Sequence, residues 1–561
     1  MGPNTACRRP ADPGNAERVS GESSENERLR WWQTRWFVVV AAMLAAMPLV
    51  WPDIPPLVDL PGHMARYRVQ LSHGTVPWFA DWYDFRWNLI GNLGIDLLLE
   101  PLAPLLGLEL SVKLIVLAIP ALTAVGFLWI SREVHGRIPP TALFALPLVY
   151  SYPFHFGFVN FALSMALALN AFALWLRLAR LDKLRLRAIL FVPIAAVIWI
   201  THTFGWGMLG VLAFSAELIR QHDRKQGWVR PWLHAAFHCL PLAPPALLMI
   251  AWRSGHVTGQ TGDWFNWRAK TSWVLMTLRD RWMAWDIASL AIVYLVLFNG
   301  VRDRRVEYSR NLAISAIFLF AVFILLPRIV FGSAYADMRL APFMLGIAVI
   351  AMRPRPGMSI RGATVLAALG FAFFGARMVG NTISYARYDA DYDRELVALK
   401  HIPQGARLIS FLGETCYNEW QMTRLQHLPG MATVRNLAYT NDQWSMPGAQ
   451  LLTVRYPGAR GFNHDPSQVV TDVKCPRQWW RPVAVSLARF PRKSFDYVWL
   501  ISVPPYDRRL ERGLTEVWRD GQSAVFKIDH GTPAASLTPD DLGPYRYLLE
   551  RHLKTTASKP F

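Results

Sequence analysis

Charged side chains are scarce in this sequence. Asp, Glu, Lys and Arg together make up 18% of its 561 residues, against 53% hydrophobic residues. A soluble chain of this length divides into several cores built from short amphipathic elements. Here the apolar residues instead form repeated runs of roughly 15–22, separated by short basic segments, which is the pattern of a polytopic helical membrane protein. Cysteine is also rare, with four in all. Cys7 falls in a polar tail and Cys239 in an apolar run. Cys416 and Cys475 lie in the C-terminal region; if that region is outside the cytoplasm they can pair in a disulfide, and two free thiols are the equal alternative. No internal repeat and no cleavable signal sequence is evident, so the first apolar run reads as a retained anchor.

The acidic side is the depleted one: 40 Asp and Glu against 59 Lys and Arg give a net charge of +19. A basic balance of this size can signal nucleic acid, but its distribution excludes that reading. The cations collect in the N-terminal tail (Arg8, Arg9, Arg28, Arg30, Arg35) and in short connectors at 177–187, 220–230, 302–310 and 353–361. Short Lys/Arg-rich loops beside spans mark the cytoplasmic side of a membrane. The tail, residues 1–35, is expected to be disordered and cytoplasmic.

Spans are predicted at 36–52, 109–131, 139–152, 157–178, 188–204, 206–220, 233–251, 286–300, 311–331, 338–353 and 362–380, about eleven in all. With the N-terminus inside, this arrangement puts every strongly basic connector inside and 53–108, 252–285 and 381–561 outside. The run 89–108 is apolar but carries Asn92, Asp96, Glu100 and two prolines. Unpaired carboxylates are costly at bilayer depth, so it is expected to lie at the outer interface. After Tyr385 the pattern changes to strand-like runs ("ARLISFL", "FDYVWLISV", "SAVFKI") and turn-rich segments. The expected architecture is a membrane core at 36–384, with a large first outer loop at 53–108, followed by a soluble periplasmic α/β domain at 385–561.

This topology brings scattered polar residues to one membrane face. Asp59, His63 and Arg66 open the first loop in "VDLPGHMAR"; His155 and Asn160 sit in "YPFHFGFVN"; Thr201 and His202 in "THTFGWG"; Asp337 and Arg339 in "SAYADMRLAP". Each also has a plain reading. Asp59 suits the N-cap of a helix with Pro61 in its first turn. The histidines with Phe154, Phe156, Phe204 and Trp206 suit an interfacial aromatic belt, and Asp337 with Arg339 suits a local surface pair. His73, Asp81 and Asp84 read as loop-surface groups. Taken together, an acid that can accept a proton and cations that can neutralise phosphate suit a transfer whose leaving group is a phosphate ester. The aromatic segments "DWFNWRAKTSW" and "NDQWSMPG" suit sugar stacking, interface aromatics or core equally.

With an acid early in the first outer loop, interfacial helices in that loop, and a many-span core followed by an outer domain, the sequence resembles the GT-C superfamily of integral-membrane glycosyltransferases. The resemblance implies a polyprenyl-phosphate-linked sugar donor, a glycan, lipid or protein acceptor, and transfer with inversion at the outer face of a bacterial inner membrane. It implies Asp59 as general base and Arg339, His202, His155 and Arg66 as the donor-phosphate set, with His63, Asn160 and Asp337 in support. Many members carry adjacent acids in this loop, whereas Leu60 follows Asp59 here. A dense carboxylate set for a metal is therefore missing, no cofactor is expected, and a divalent ion stays open. The same departure leaves a non-catalytic component of cell-envelope glycan assembly as an alternative. A lipid-linked sugar flippase is another, although it would call for midplane charges and related halves.

Overall fold

The computed structural model describes residues 29–535, apart from 225–226, 228, 255–259, 331, 356, 417–418, 446–449, 477 and 479. Most of the expected disordered tail, with Cys7, and the end of the expected outer domain lie outside the described residues.

Among the described residues, five helices are long and apolar enough to cross a membrane: Leu108–His135, Val159–Arg180, Leu184–Thr201, Met283–Arg302 and the long one that begins at Ile360. A pair bent by 68°, Arg230–Leu242 with Pro244–Ile250, makes a sixth if it is one span, and three shorter apolar helices accompany them: Arg35–Leu49, Arg310–Leu325 and Met338–Ile350. By length and composition, five or six of the eleven predicted spans are full-length apolar helices. The clearest departure is 139–152, which forms a 3-10 helix over Pro140–Val149 with all ten residues buried. At roughly 2 Å of rise per residue it covers only about two thirds of a hydrocarbon core, and it does so inside protein, where Pro140 and Pro147 are tolerated.

The first outer loop holds two α-helices. Leu60–Leu71 starts with Pro61 in its first turn, and Gly94–Leu106 carries Pro101 and Pro104. The second, at 13 residues, is too short to span a bilayer. Its Asp96 is fully buried because Arg66 reaches it at 2.9 Å, and Gln70 donates to the Asp96 carbonyl and to Glu100. A paired carboxylate is the arrangement that burial of a charge requires.

The C-terminal region builds a six-stranded mixed sheet in the order Arg481–Pro482, Val469–Thr471, Leu408–Gly413, Tyr497–Ile501, Ser523–Ile528, Leu514–Asp520. The first four strands run parallel and the last two pairings are antiparallel. Helix Ile360–Leu396 runs without a break through Tyr385, where the composition changes. The first loop does not stand apart from this sheet. Tyr83–Phe85 pairs antiparallel with Leu452–Val454, and Val69, Phe79 and Trp82 share one core with Ile409, Phe411 and Val498.

Candidate functional site

A cavity of about 1060 Å³ opens between the ends of the membrane helices, the first loop and the C-terminal region. Asp59, His63, Asn160, His202 and Arg339 line it, joined by His427, Trp444 and Asp465 from the C-terminal side. Phe156, Phe158 and Phe161 form an apolar wall, while Gln421, Gln450 and Gln478 contribute amides.

Asp59 stands just before the Leu60–Leu71 helix, at the place where an aspartate usually caps. Its own backbone is already helical (φ −86°, ψ −9°), and its side chain makes no capping hydrogen bond. The backbone N–H of Asp59 donates to the Phe156 carbonyl at 3.0 Å, fixing it to the turn between two membrane segments. The carboxylate, on a residue only 8% exposed, is left for the cavity. Burial pushes its pKa from 3.8 up to about 7, with His427 and Arg339 pulling it down and Asp465 pushing it up.

Arg339 enters from the short turn Met338–Leu340 and is 7% exposed. Its guanidinium lies 4.3 Å from the ring centre of Phe158 and under 6 Å from those of Phe161 and Phe204. It donates to Ser333 at 3.2 Å, and its Nε is buried without a partner. Among the described residues no carboxylate lies within ion-pair distance of it. Asp337, expected as a partner or support, instead pairs with Lys270 at 3.1 Å and accepts from the Met338 N–H, so it shapes the turn that carries Arg339. His202 caps the next helix, its Nδ1 accepting from the Phe204 N–H at 3.2 Å. With Nδ1 so used, a neutral ring carries its proton on Nε2, 3.4 Å from an Arg339 nitrogen. Two donors then stand side by side, an arrangement that an anionic oxygen between them satisfies.

The other expected phosphate ligands are engaged elsewhere. Arg66, 1% exposed, is committed to Asp96 and stays off the cavity. His155 is fully buried away from it, with Nδ1 3.0 Å from the Tyr385 hydroxyl and 3.1 Å from Arg424, beside Asp280. The expectation that these two hold phosphate is corrected: each completes a buried polar network. Asn160 lines the cavity but spends its amide on the Ile95 N–H, the Asn92 carbonyl and Asp96. His63 faces the cavity with its ring 5.1 Å from Trp444, and its Nδ1 is buried without a partner. Burial, with Arg66 and His427 nearby, holds its pKa well below 6.5, so the ring is neutral.

Sequence reasoning missed the C-terminal contribution. His427, 2% exposed, lies 4.0 Å from Asp59 and 3.8 Å from Asp465 through Nε2; its Nδ1 lies 3.1 Å from the Asp442 carbonyl and 3.7 Å from the Asp442 carboxylate. Burial alone would lower its pKa, but the hydrogen bond with Asp442 and the charges of Asp465 and Asp59 outweigh burial and raise it to about 9. One signal was present. Asp59 precedes Leu60-Pro61-Gly62, and His427 precedes Leu428-Pro429-Gly430. Both tetrapeptides lead into helices, Leu60–Leu71 and Gly430–Asn436, that pack on each other. A side chain on Gly62 would sit 2.8 Å from the Trp444 ring, and one on Gly430 would sit 2.8 Å from the Pro61 carbonyl.

Cys416 and Cys475 are joined in a disulfide beside the cavity residues Glu414 and Trp480. Trp273 and Asn266 of "DWFNWRAKTSW" line the cavity, whereas Trp264 and Trp267 are exposed. Trp444 represents "NDQWSMPG" there, and the end of that segment lies outside the described residues. Among the described residues no group of three or more His, Cys, Asp or Glu is arranged to hold a metal ion.

No family model and no curated protein matches the sequence. Among solved structures the chain is similar to the crystal structure of ArnT from Cupriavidus metallidurans in the apo state, at 12% identity and a TM-score of 0.46, over 88% of this chain and 97% of that one.

Proposed function

We propose that the protein is a membrane glycosyltransferase that moves a sugar from a polyprenyl-phosphate donor to an acceptor hydroxyl at the outer face of a bacterial inner membrane. The observation that carries this reading is Arg339, a buried cation with no ion-pair carboxylate among the described residues, facing a cavity whose other wall bears the buried Asp59. The phenylalanine wall suits a prenyl chain, and the Arg339–His202 donor pair suits the phosphate at its end. Asp59 takes the proton of the acceptor hydroxyl as its oxygen bonds to the anomeric carbon. The bond from that carbon to the phosphate oxygen breaks on the opposite side, giving inversion and releasing the lipid phosphate to Arg339. The disulfide supports an oxidising outer compartment for the C-terminal region.

The test is to purify the protein in lipid, identify co-purifying polyprenyl-phosphate species by mass spectrometry, and follow label from lipid-linked sugar into product. Asp59→Asn at normal expression abolishes transfer; full activity in that variant removes Asp59 as the base. Movement of lipid-linked sugar across proteoliposomes without covalent product supports a flippase instead.

A further inference from the structure

His427 stands in a setting that its own segment does not explain. Both ring nitrogens face acceptors only: the Asp442 carbonyl and carboxylate behind, and Asp59 and Asp465 in front. A neutral imidazole would leave one nitrogen lone pair pointing at a carboxylate, so the geometry selects the imidazolium. Asp442 is itself held, accepting from the Thr440 hydroxyl at 2.6 Å, and Asp465 accepts from Gln468 at 2.7 Å. Trp444 covers the ring with centroids 4.2 Å apart, which removes water from the pair and leaves the charges unscreened. Three carboxylates (Asp59, Asp442 and Asp465) stand beside this one imidazolium, which cannot fully compensate all of them.

We propose that His427, braced by Asp442, is a positioning residue for Asp59: the C-terminal region supplies a cation that favours the ionised form of this first-loop carboxylate at the cavity, and Asp465 opposes it. The part this plays in sugar transfer rests on the reading of Asp59 as the base. The charge coupling itself stands on geometry alone. The other groups that face Asp59 are Arg339 from the late membrane turn and the phenols of Tyr152 and Tyr335; His63 faces His427 from the first-loop helix.

The coupling is read without any substrate. A hydrophobic carbodiimide labels protonated carboxyls, so labelling the full-length protein in lipid nanodiscs across pH, with mass spectrometry of the Asp59 peptide, gives the titration midpoint of Asp59. The midpoint of the wild type is expected near 7. His427→Gln moves it up by about one pH unit, a tenfold change in the protonated fraction above the midpoint. Asp465→Asn moves it down, and Asp442→Asn moves it up by less than His427→Gln. An unmoved midpoint in His427→Gln, or an upward shift in Asp465→Asn, overturns the proposal. Asp465 lies outside the packed helices Leu60–Leu71 and Gly430–Asn436, so the sign of the Asp465→Asn shift decides the matter even if His427→Gln does not fold. In the transfer assay the acid limb of the pH profile moves with the labelling midpoint. Shifted labelling with no transfer in any form leaves the coupling standing and removes the glycosyltransferase reading; transfer with unshifted labelling does the reverse.

Discussion

Asp59 gives up the capping bond that its position offers, and this is the residue-scale cost of keeping a carboxylate at the cavity. Because burial raises its pKa above the unfolded value of 3.8, the folded state holds the proton more tightly than the unfolded chain. Its contribution to stability therefore falls as pH rises from 3.8 to about 7 and stays low above that. Asp59→Asn is accordingly expected to be at least as thermally stable as the wild type at pH 8, while losing transfer. The two readouts together separate a site residue from a structural one. Transfer by the wild type should rise about tenfold per pH unit below the midpoint and level off above it. Arg339→Gln should lose retained polyprenyl phosphate on purification, and Arg339→Lys should retain only part of it, since an ammonium cannot present the planar guanidinium donors. Asp59, His202 and Arg339 could be picked out from sequence because span ends are countable and polar residues there are few. His427, Asp442 and Asp465 could not: nothing local ties them to the first loop except the shared Leu-Pro-Gly.

Short elements carry this architecture as much as long ones do. The 3-10 helix Pro140–Val149 occupies a place where hydropathy predicts an ordinary span; its prolines remove helical donors, and full burial by neighbours makes that tolerable. The Gly94–Leu106 helix was expected at the interface because its carboxylates lacked visible partners. In the fold Asp96 has one in Arg66, so the two residues explain each other. The contact between helices Leu60–Leu71 and Gly430–Asn436 depends on absent side chains. Gly430→Ala would press a methyl against the Pro61 carbonyl, which is backbone and cannot swing aside. That substitution should cost about 1–3 kcal/mol by forcing the helices apart. Its signature would be a lower thermal midpoint together with a changed Asp59 titration, whereas a purely local defect would lower the midpoint alone.

Across the whole molecule, the boundary that composition suggests near Tyr385 is crossed repeatedly. One helix passes through it, a first-loop strand pairs with Leu452–Val454, and aromatic residues from both regions share a core. Sequence patterns report periodicity within a window, and these contacts join segments hundreds of positions apart, so the change in composition was legible and the joint core was not. The Cys416–Cys475 disulfide closes a separation of 59 residues on the cavity rim. Replacing both cysteines by serine should lower stability by about 2–4 kcal/mol, seen as a drop in the midpoint of thermal unfolding in lipid. In the intact protein both cysteines should resist alkylation until a reductant is added.

The reach between the halves of the site also sets a schedule. Arg424, three residues from His427, donates to the Pro56 carbonyl, three residues from Asp59, across 368 positions of chain. During translation the acid therefore waits in the first loop while nearly every membrane helix is still being made. A nascent chain stalled part-way can hold Asp59 but has no imidazolium to set beside it. Such a fragment holds only part of the cavity lining, and the pairing of Asp59 with His427 forms only as one of the last events of assembly.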